Sequence, residues 1–109
     1  MGHPTRHIAL NIEEATEDNQ NFRDIIYTDE FMQLVLMSVK PGEEIGLEKH
    51  KGAQFIRIES GTGVAIIEGI EYPVLPGDAY QISPNTWHNF INTGDEDLKL
   101  YTLYAPPEH

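Results

Sequence analysis

From Phe31 onward, short β-branched and aliphatic runs are cut by Gly, Pro, Asn and Asp about every eight to twelve residues, and this spacing constrains the fold more than any other feature. The runs cover 33–39, 54–59, 64–67, 71–74, 79–82, 88–91 and 98–104. Between them stand Lys40-Pro-Gly, Ser60-Gly-Thr-Gly, Glu68-Gly, Leu75-Pro-Gly-Asp, Ser83-Pro-Asn and Asn92-Thr-Gly-Asp. Gly and Pro end regular structure because one tolerates left-handed backbone and the other lacks a donor. No later stretch of ten or more residues holds a helical period, which argues against helices wrapped on a parallel sheet. The pattern predicts an all-β sandwich or barrel with little helix, at most a turn near the start.

A chain of 109 residues makes one domain, here 1–109, with a barrel core over 31–105 and a loose N-terminal segment over 1–10. It has no cysteine, so disulfides, thiolate metal sites and cysteine nucleophiles are excluded. Seven basic residues against eighteen acidic ones give a net charge of −11, a poor match for nucleic acid or an anionic membrane surface. Most early acids, from Glu13 to Glu30, read as a solvated face. No apolar run reaches the roughly 20 residues of a membrane span, and the first residues lack a signal-peptide core. The expected location is therefore cytoplasmic, with no membrane and no nucleic-acid partner.

Three of the five histidines, His3, His7 and His109, lie in the terminal segments. The internal two belong to a set that can carry chemistry. Glu48 and His50 are two residues apart, so on an extended segment both leave the same face. Gln54 follows beyond Gly52, which permits a bend, and His88 enters a later strand. Adjacent barrel strands can bring Glu48, His50, Gln54 and His88 to one point. Two imidazoles and a carboxylate suit a divalent metal such as Zn, Mn, Ni or Fe, with the Gln54 amide as a weak neutral ligand. One ion per chain keeps about one net positive charge there, enough to polarise a carbonyl or acidify water. From spacing alone, a buried Glu–His pair satisfied by hydrogen bonds is the lesser alternative and explains half of this set.

The glycines around these residues bring in a resemblance. Gly42, five residues, Glu48-Lys49-His50, three residues, Gln54, six residues and Gly61 resemble the first motif of the cupin superfamily. Gly77, Ser83-Pro84-Asn85, two residues, His88, three residues and Asn92 resemble the second, with Pro one place late and Asn85 where Gly is usual. At about 7% Gly frequency, three glycines in register arise by chance only a few times in ten thousand. The stretches Met37-Ser-Val-Lys-Pro-Gly, Gln54-Phe-Ile-Arg and Ala105-Pro-Pro-Glu-His look like the small bacterial cupins called mannose-6-phosphate isomerase-like. The resemblance implies an RmlC-like jelly roll, or double-stranded β-helix, and a metal at Glu48, His50, Gln54 and His88. It also implies a homodimer, and the apolar stretch 22–27 is a candidate edge strand for a partner.

Strand parity places Ile56, Ile58 and Phe90 on the ligand side, beside Gln54 and His88, and sends Trp87 away. Tyr101 or Tyr104 is the candidate proton donor, and Glu48 the carboxylate base. Lys49, Lys51 and Arg57 alternate with inward residues and so face outward, leaving Arg23 as the inward cation. A lone cation in so acidic a chain suits a neutral or singly charged small molecule in the barrel better than a phosphosugar. The leading expectation is a metal-dependent isomerase or lyase acting on a sugar, enediol or diketone. An Fe(II)-dependent dioxygenase and a non-catalytic small-ligand-binding barrel remain as alternatives.

Overall fold

A computed structural model describes residues 7–108; residues 1–6 and His109 lie outside the described residues, and with them most of the segment expected to be loose. Residues 7–10 join no helix or strand. There follow α1 (Ile12–Asp18), β1 (Asp24–Thr28), β2 (Gln33–Val39), β3 (Ala53–Ser60), β4 (Gly63–Ile67), β5 (Ile70–Val74), β6 (Ala79–Ile82), β7 (His88–Asn92) and β8 (Leu98–Ala105). Each expected run is a strand, with ends within a residue of those read from the turn signals. The pairings are antiparallel, in a five-stranded sheet ordered β1-β2-β8-β3-β6 and a three-stranded sheet ordered β5-β4-β7. The chain is an all-β jelly roll.

The two sheets face one another across the core. Val35, Met37 and Val39 of β2, Ile56 and Ile58 of β3, and Leu98 and Leu100 of β8 pack toward Ala65, Val74 and Phe90. Each such large side chain stabilises the fold by about 1.5–3 kcal/mol on burial, so this apolar layer is the main stabilising term. Along β8 burial alternates strictly, as a strand with one face in the core requires. In β2 every residue is buried, because α1 packs over the outer face of β2, β3 and β8.

That helix is longer than the single turn expected. Asn11 caps it, its side chain accepting from Glu14 N–H at 3.0 Å, and Glu13 and Glu14 sit in the first turn where the dipole favours acids. Ile12, Ala15 and Thr16 share the covered face at helical spacing, and Thr16 is fully buried. Seven residues are too few for that period to stand out in a sequence, and the helix is held by packing more than by propensity. β1 also extends the five-stranded sheet before the expected start of the core, with the turn into β2 closed by Asp29. Its Oδ1 accepts from Phe31 N–H at 2.7 Å and Met32 N–H at 2.9 Å.

Two glycines of the sequence motifs serve different ends. Gly61 combines φ +88° with a close crossing, since a Cβ there would lie 2.5 Å from the Asp97 carbonyl oxygen and 2.7 Å from Leu98 Cα. Gly77 has φ +90° and open space around it. Gly77→Ala is expected to cost about 1–2 kcal/mol, the left-handed penalty alone. Gly61→Ala must also move backbone, and is expected to cost clearly more in urea unfolding. Equal losses would show that the β3–β4 turn has room to spare.

Candidate metal centre

His88 opens β7, and its position is set by backbone bonds on both sides. Its N–H donates to the Glu48 carbonyl at 2.9 Å, and Glu48 N–H donates to the His88 carbonyl at 3.0 Å. This antiparallel bridge, with a second between Glu44 and Ile91, lays residues 44–48 along the free edge of the three-stranded sheet. Asn89 clamps the same segment: Oδ1 accepts from Gly46 N–H and Nδ2 donates to Glu44 Oε1, both at 2.9 Å. Glu48 is thus carried by a docked extended segment outside the named strands.

The His88 Nδ1–H donates to the Thr86 carbonyl at 2.8 Å, which leaves Nε2 as a lone pair. Nε2 is buried without a hydrogen-bond partner, while Glu48 Oε1 stands 3.8 Å away. Burial pushes the His88 pKa down, outweighing the Thr86 bond and the Glu48 charge, so the ring is held neutral. His50 Nε2 lies 3.3 Å from the same Glu48 oxygen, and the two imidazole centroids are 5.3 Å apart. Ligand atoms from Glu48, His50 and His88 all fall within 4.8 Å of one another. A buried lone pair with no proton to accept, opposed by a carboxylate and a second imidazole, fits a divalent cation.

Gln54 adds a further open acceptor. Its Nε2 donates to Thr102 Oγ1 at 2.9 Å, which leaves Oε1 buried without a partner. Asn85 takes φ +61° in the turn before β7, the left-handed place anticipated for it, and its N–H donates to the His50 carbonyl at 2.7 Å. Asn92 organises the next turn, with Nδ2 donating to the carbonyls of Val39 and Glu96 and Oδ1 accepting from Gly94 N–H.

Beside this group opens a cavity of about 300 Å³, lined in part by Glu48, His50 and Tyr104. Phe22, Met37 and Ile45 supply apolar wall, and Arg23 a cation. The Tyr104 ring packs edge-on to His50 at 5.0 Å. Burial, with a smaller push from Glu48, drives its hydroxyl up to about 12, so it stays protonated. Tyr101 is three residues away and on the opposite face of β8, which removes it from the site. Ile56, Ile58 and Phe90 are correctly inward, yet they are packed in the apolar core at 1%, 0% and 1% exposure and do not line the cavity. Lys49 faces outward as expected, its Nζ 4.9 Å from the ring of an exposed Trp87. Arg57 likewise pairs outside, 3.6 Å from Glu59.

Glu108 was not anticipated. Its Oε1 lies 3.2 Å from His50 Nδ1, on the side of the ring opposite Glu48, and it lines the same cavity. Nδ1 makes no hydrogen bond, and a carboxylate on that side would favour a proton there and leave the Nε2 lone pair toward Glu48 and His88 when an ion is bound. Gly52 makes this contact possible. A Cβ at residue 52 would stand 2.6 Å from Pro106 Cδ and 2.7 Å from the Ala105 carbonyl oxygen, so the glycine serves the crossing of the C-terminal segment. The hint in the sequence was an acid after Pro-Pro, too generic to read.

The Cupin domain family profile matches residues 35–104. The chain belongs to the cupin family. The uncharacterized protein YrkC of Bacillus subtilis is 42% identical over 108 residues, covering 93% of this chain, and this chain spans 58% of that protein's length. A crystal structure of a Bacillus halodurans protein superposes with a TM-score of 0.93 at 40% identity, covering 98% of this chain and 86% of the other. A 5-nitrosalicylic acid 1,2-dioxygenase of Bradyrhizobium is 30% identical over 66 residues, covering 61% of this chain and 32% of that enzyme.

Replacing Glu108 by Gln is expected to weaken Zn²⁺ binding about tenfold in competition with a chromophoric chelator. Gly52→Ala, which displaces Pro106, is expected to do the same. Unchanged affinity in both variants would show that the C-terminal segment does not act on His50.

Proposed function

We propose that this cupin is a divalent-metal enzyme acting on a small oxygen-rich molecule, a sugar, enediol or diketone, by isomerase or lyase chemistry. One observation carries the reading: three converging ligand atoms, one of them a buried imidazole nitrogen with no hydrogen-bond partner, beside a cavity of small-molecule size. Glu48, His50 and His88 would hold the ion, with Gln54 Oε1 available as a neutral fourth donor. A bound ion supplies Lewis acidity toward adjacent substrate oxygens.

The chain's own residues account for the proton chemistry. Glu48 sits between two imidazoles, so as a ligand it is engaged. Of the two carboxylates lining the cavity, Glu108 is the one outside the ligand set, and it would take a proton from a substrate carbon on leaving its contact with His50 Nδ1. Tyr104 keeps its proton through the physiological range and donates a hydrogen bond to a developing oxyanion. The apolar wall of Phe22, Met37 and Ile45 excludes water from one side of the bound molecule.

A second reading, an Fe(II)-dependent dioxygenase, is favoured by the donor count. Two histidines and one carboxylate with open positions make the facial triad of non-haem iron oxygenases, and one relative is named a 5-nitrosalicylic acid 1,2-dioxygenase. Metal analysis of tag-free protein beside a Glu48→Ala, His50→Ala variant separates the readings. Zinc, manganese or nickel, stoichiometric in the parent and lost in the variant, is expected, and directs assays to sugars and diketones. Iron lost in the variant, with O₂ uptake, would establish the second reading. No metal in either protein would overturn both and leave a ligand-binding barrel.

A further inference from the structure

The cation in the cavity wall is Arg23. Among the described residues it forms no ion pair, although Glu48 and Glu108 line the same cavity and the chain holds eighteen acids against seven bases. Lys40, Lys49 and Lys51 form no ion pair either, but Arg23 is the cation that lines the cavity, exposed at its mouth with its donors open to a ligand. Its backbone is fixed by the turn before β1. The Asn19 side chain donates to the Asn21 carbonyl at 2.9 Å and accepts from Asn21 N–H at 3.1 Å, and Ser38 N–H of β2 donates to that carbonyl at 3.1 Å. Asn19 is itself buried, so the turn is anchored where it delivers Phe22 and Arg23 to the cavity mouth.

We propose that the cavity takes a small monocarboxylate with an apolar or aromatic body, its carboxylate held by Arg23 and its body against Phe22, Met37 and Ile45. This rests on the reading of the cavity as the substrate site of a metal centre, and of the substrates named there it favours a carboxylate-bearing enediol or diketone over a sugar. Guanidinium binds carboxylate through two parallel hydrogen bonds, a geometry that a neutral amide cannot match. Charge fixes the number of carboxylates. Arg23 and a divalent ion offset Glu48 and Glu108 to leave about one net positive charge, which one anionic group neutralises and two would exceed. The net charge of −11 further disfavours a dianion at long range. A cavity of about 300 Å³ accommodates a body of benzene size with the carboxylate attached.

The test compares benzoate with benzamide, the same body with and without charge, by calorimetry or NMR titration at millimolar concentrations. It is run on Zn²⁺-loaded and metal-free protein, for the parent, Arg23→Met and Arg23→Lys. Benzoate is expected to bind the parent about tenfold more tightly than benzamide. Arg23→Met should abolish that preference while retaining the parent's Zn²⁺ stoichiometry, and Arg23→Lys should keep part of it. No benzoate binding, or equal binding of the two probes, would overturn the proposal. A preference that survives Arg23→Met would overturn it as well, by placing the carboxylate on the ion. In the metal-free protein Arg23 faces Glu48 and Glu108 without the ion, a net charge of about −1, so the benzoate preference is expected to weaken there. A parent that takes up no Zn²⁺ yet keeps an Arg23-dependent preference would overturn the metal reading and spare the subsite.

Discussion

The hydrogen bond from His88 Nδ1 to the Thr86 carbonyl is the constraint on which the centre depends. It commits the ring to one tautomer, and burial then keeps that ring uncharged. Everything else at the site is arranged around the resulting lone pair. The Glu48–His88 backbone bridge brings in the carboxylate, the Asn89 clamp keeps residues 44–48 docked, and Asn85 ties the His50 backbone to the turn before β7. Loosening any of these ties moves a ligand relative to a ring that cannot follow, because His88 is 1% exposed in a packed interior.

The strands were legible because turn chemistry is local. Gly, Pro and Asn mark where a backbone must reverse, and the two-residue alternation between them marks the buried face. The convergence of Glu48, His50 and His88 was legible for a related reason: Glu48 with His50, and His88 with Asn92, are short-range spacings around glycines that the fold needs. What failed was inference at longer range. Parity gave Ile56, Ile58 and Phe90 the correct face, but parity does not say how deep along a strand the core ends and the cavity begins. Tyr104 and Tyr101 were indistinguishable in sequence, since the register of β8 against β2 and β3 is what turns one inward. Glu108, Phe22 and Ile45 come from segments outside the central strands, and nothing local announces where such segments cross.

Gly52 shows how a correct residue can carry a mistaken reason. As a sequence feature it looked like a hinge between His50 and β3. In the fold it is the gap through which Ala105 and Pro106 pass, and the passage is what delivers Glu108 to His50. The two termini thus meet the same cavity from opposite ends of the chain. The turn before β1 contributes Phe22 and Arg23, and the segment after β8 contributes Glu108. The motif segments around β3 and β7 carry the candidate metal-holding groups, whereas the peripheral segments carry the other charged groups of the cavity wall, Arg23 and Glu108, a division that would let specificity change while the centre stays intact.

Polar atoms buried without partners are costly, about 1–3 kcal/mol each, and a fold that bears several in one place has a reason outside its own stability. His88 Nε2 and Gln54 Oε1 are two such atoms, both acceptors, beside a carboxylate that adds a third concentration of negative potential. No protein donor among the described residues reaches either. Repacking the site with apolar side chains would remove the cost and leave the jelly roll's core untouched, since Ile56, Ile58 and Phe90 already complete it. The same atoms become an asset once a cation is present, because ligation supplies what the missing hydrogen bonds do not. Folding and ion binding are then linked through mass action, and the centre would stabilise the barrel with the logarithm of the ratio of ion concentration to dissociation constant.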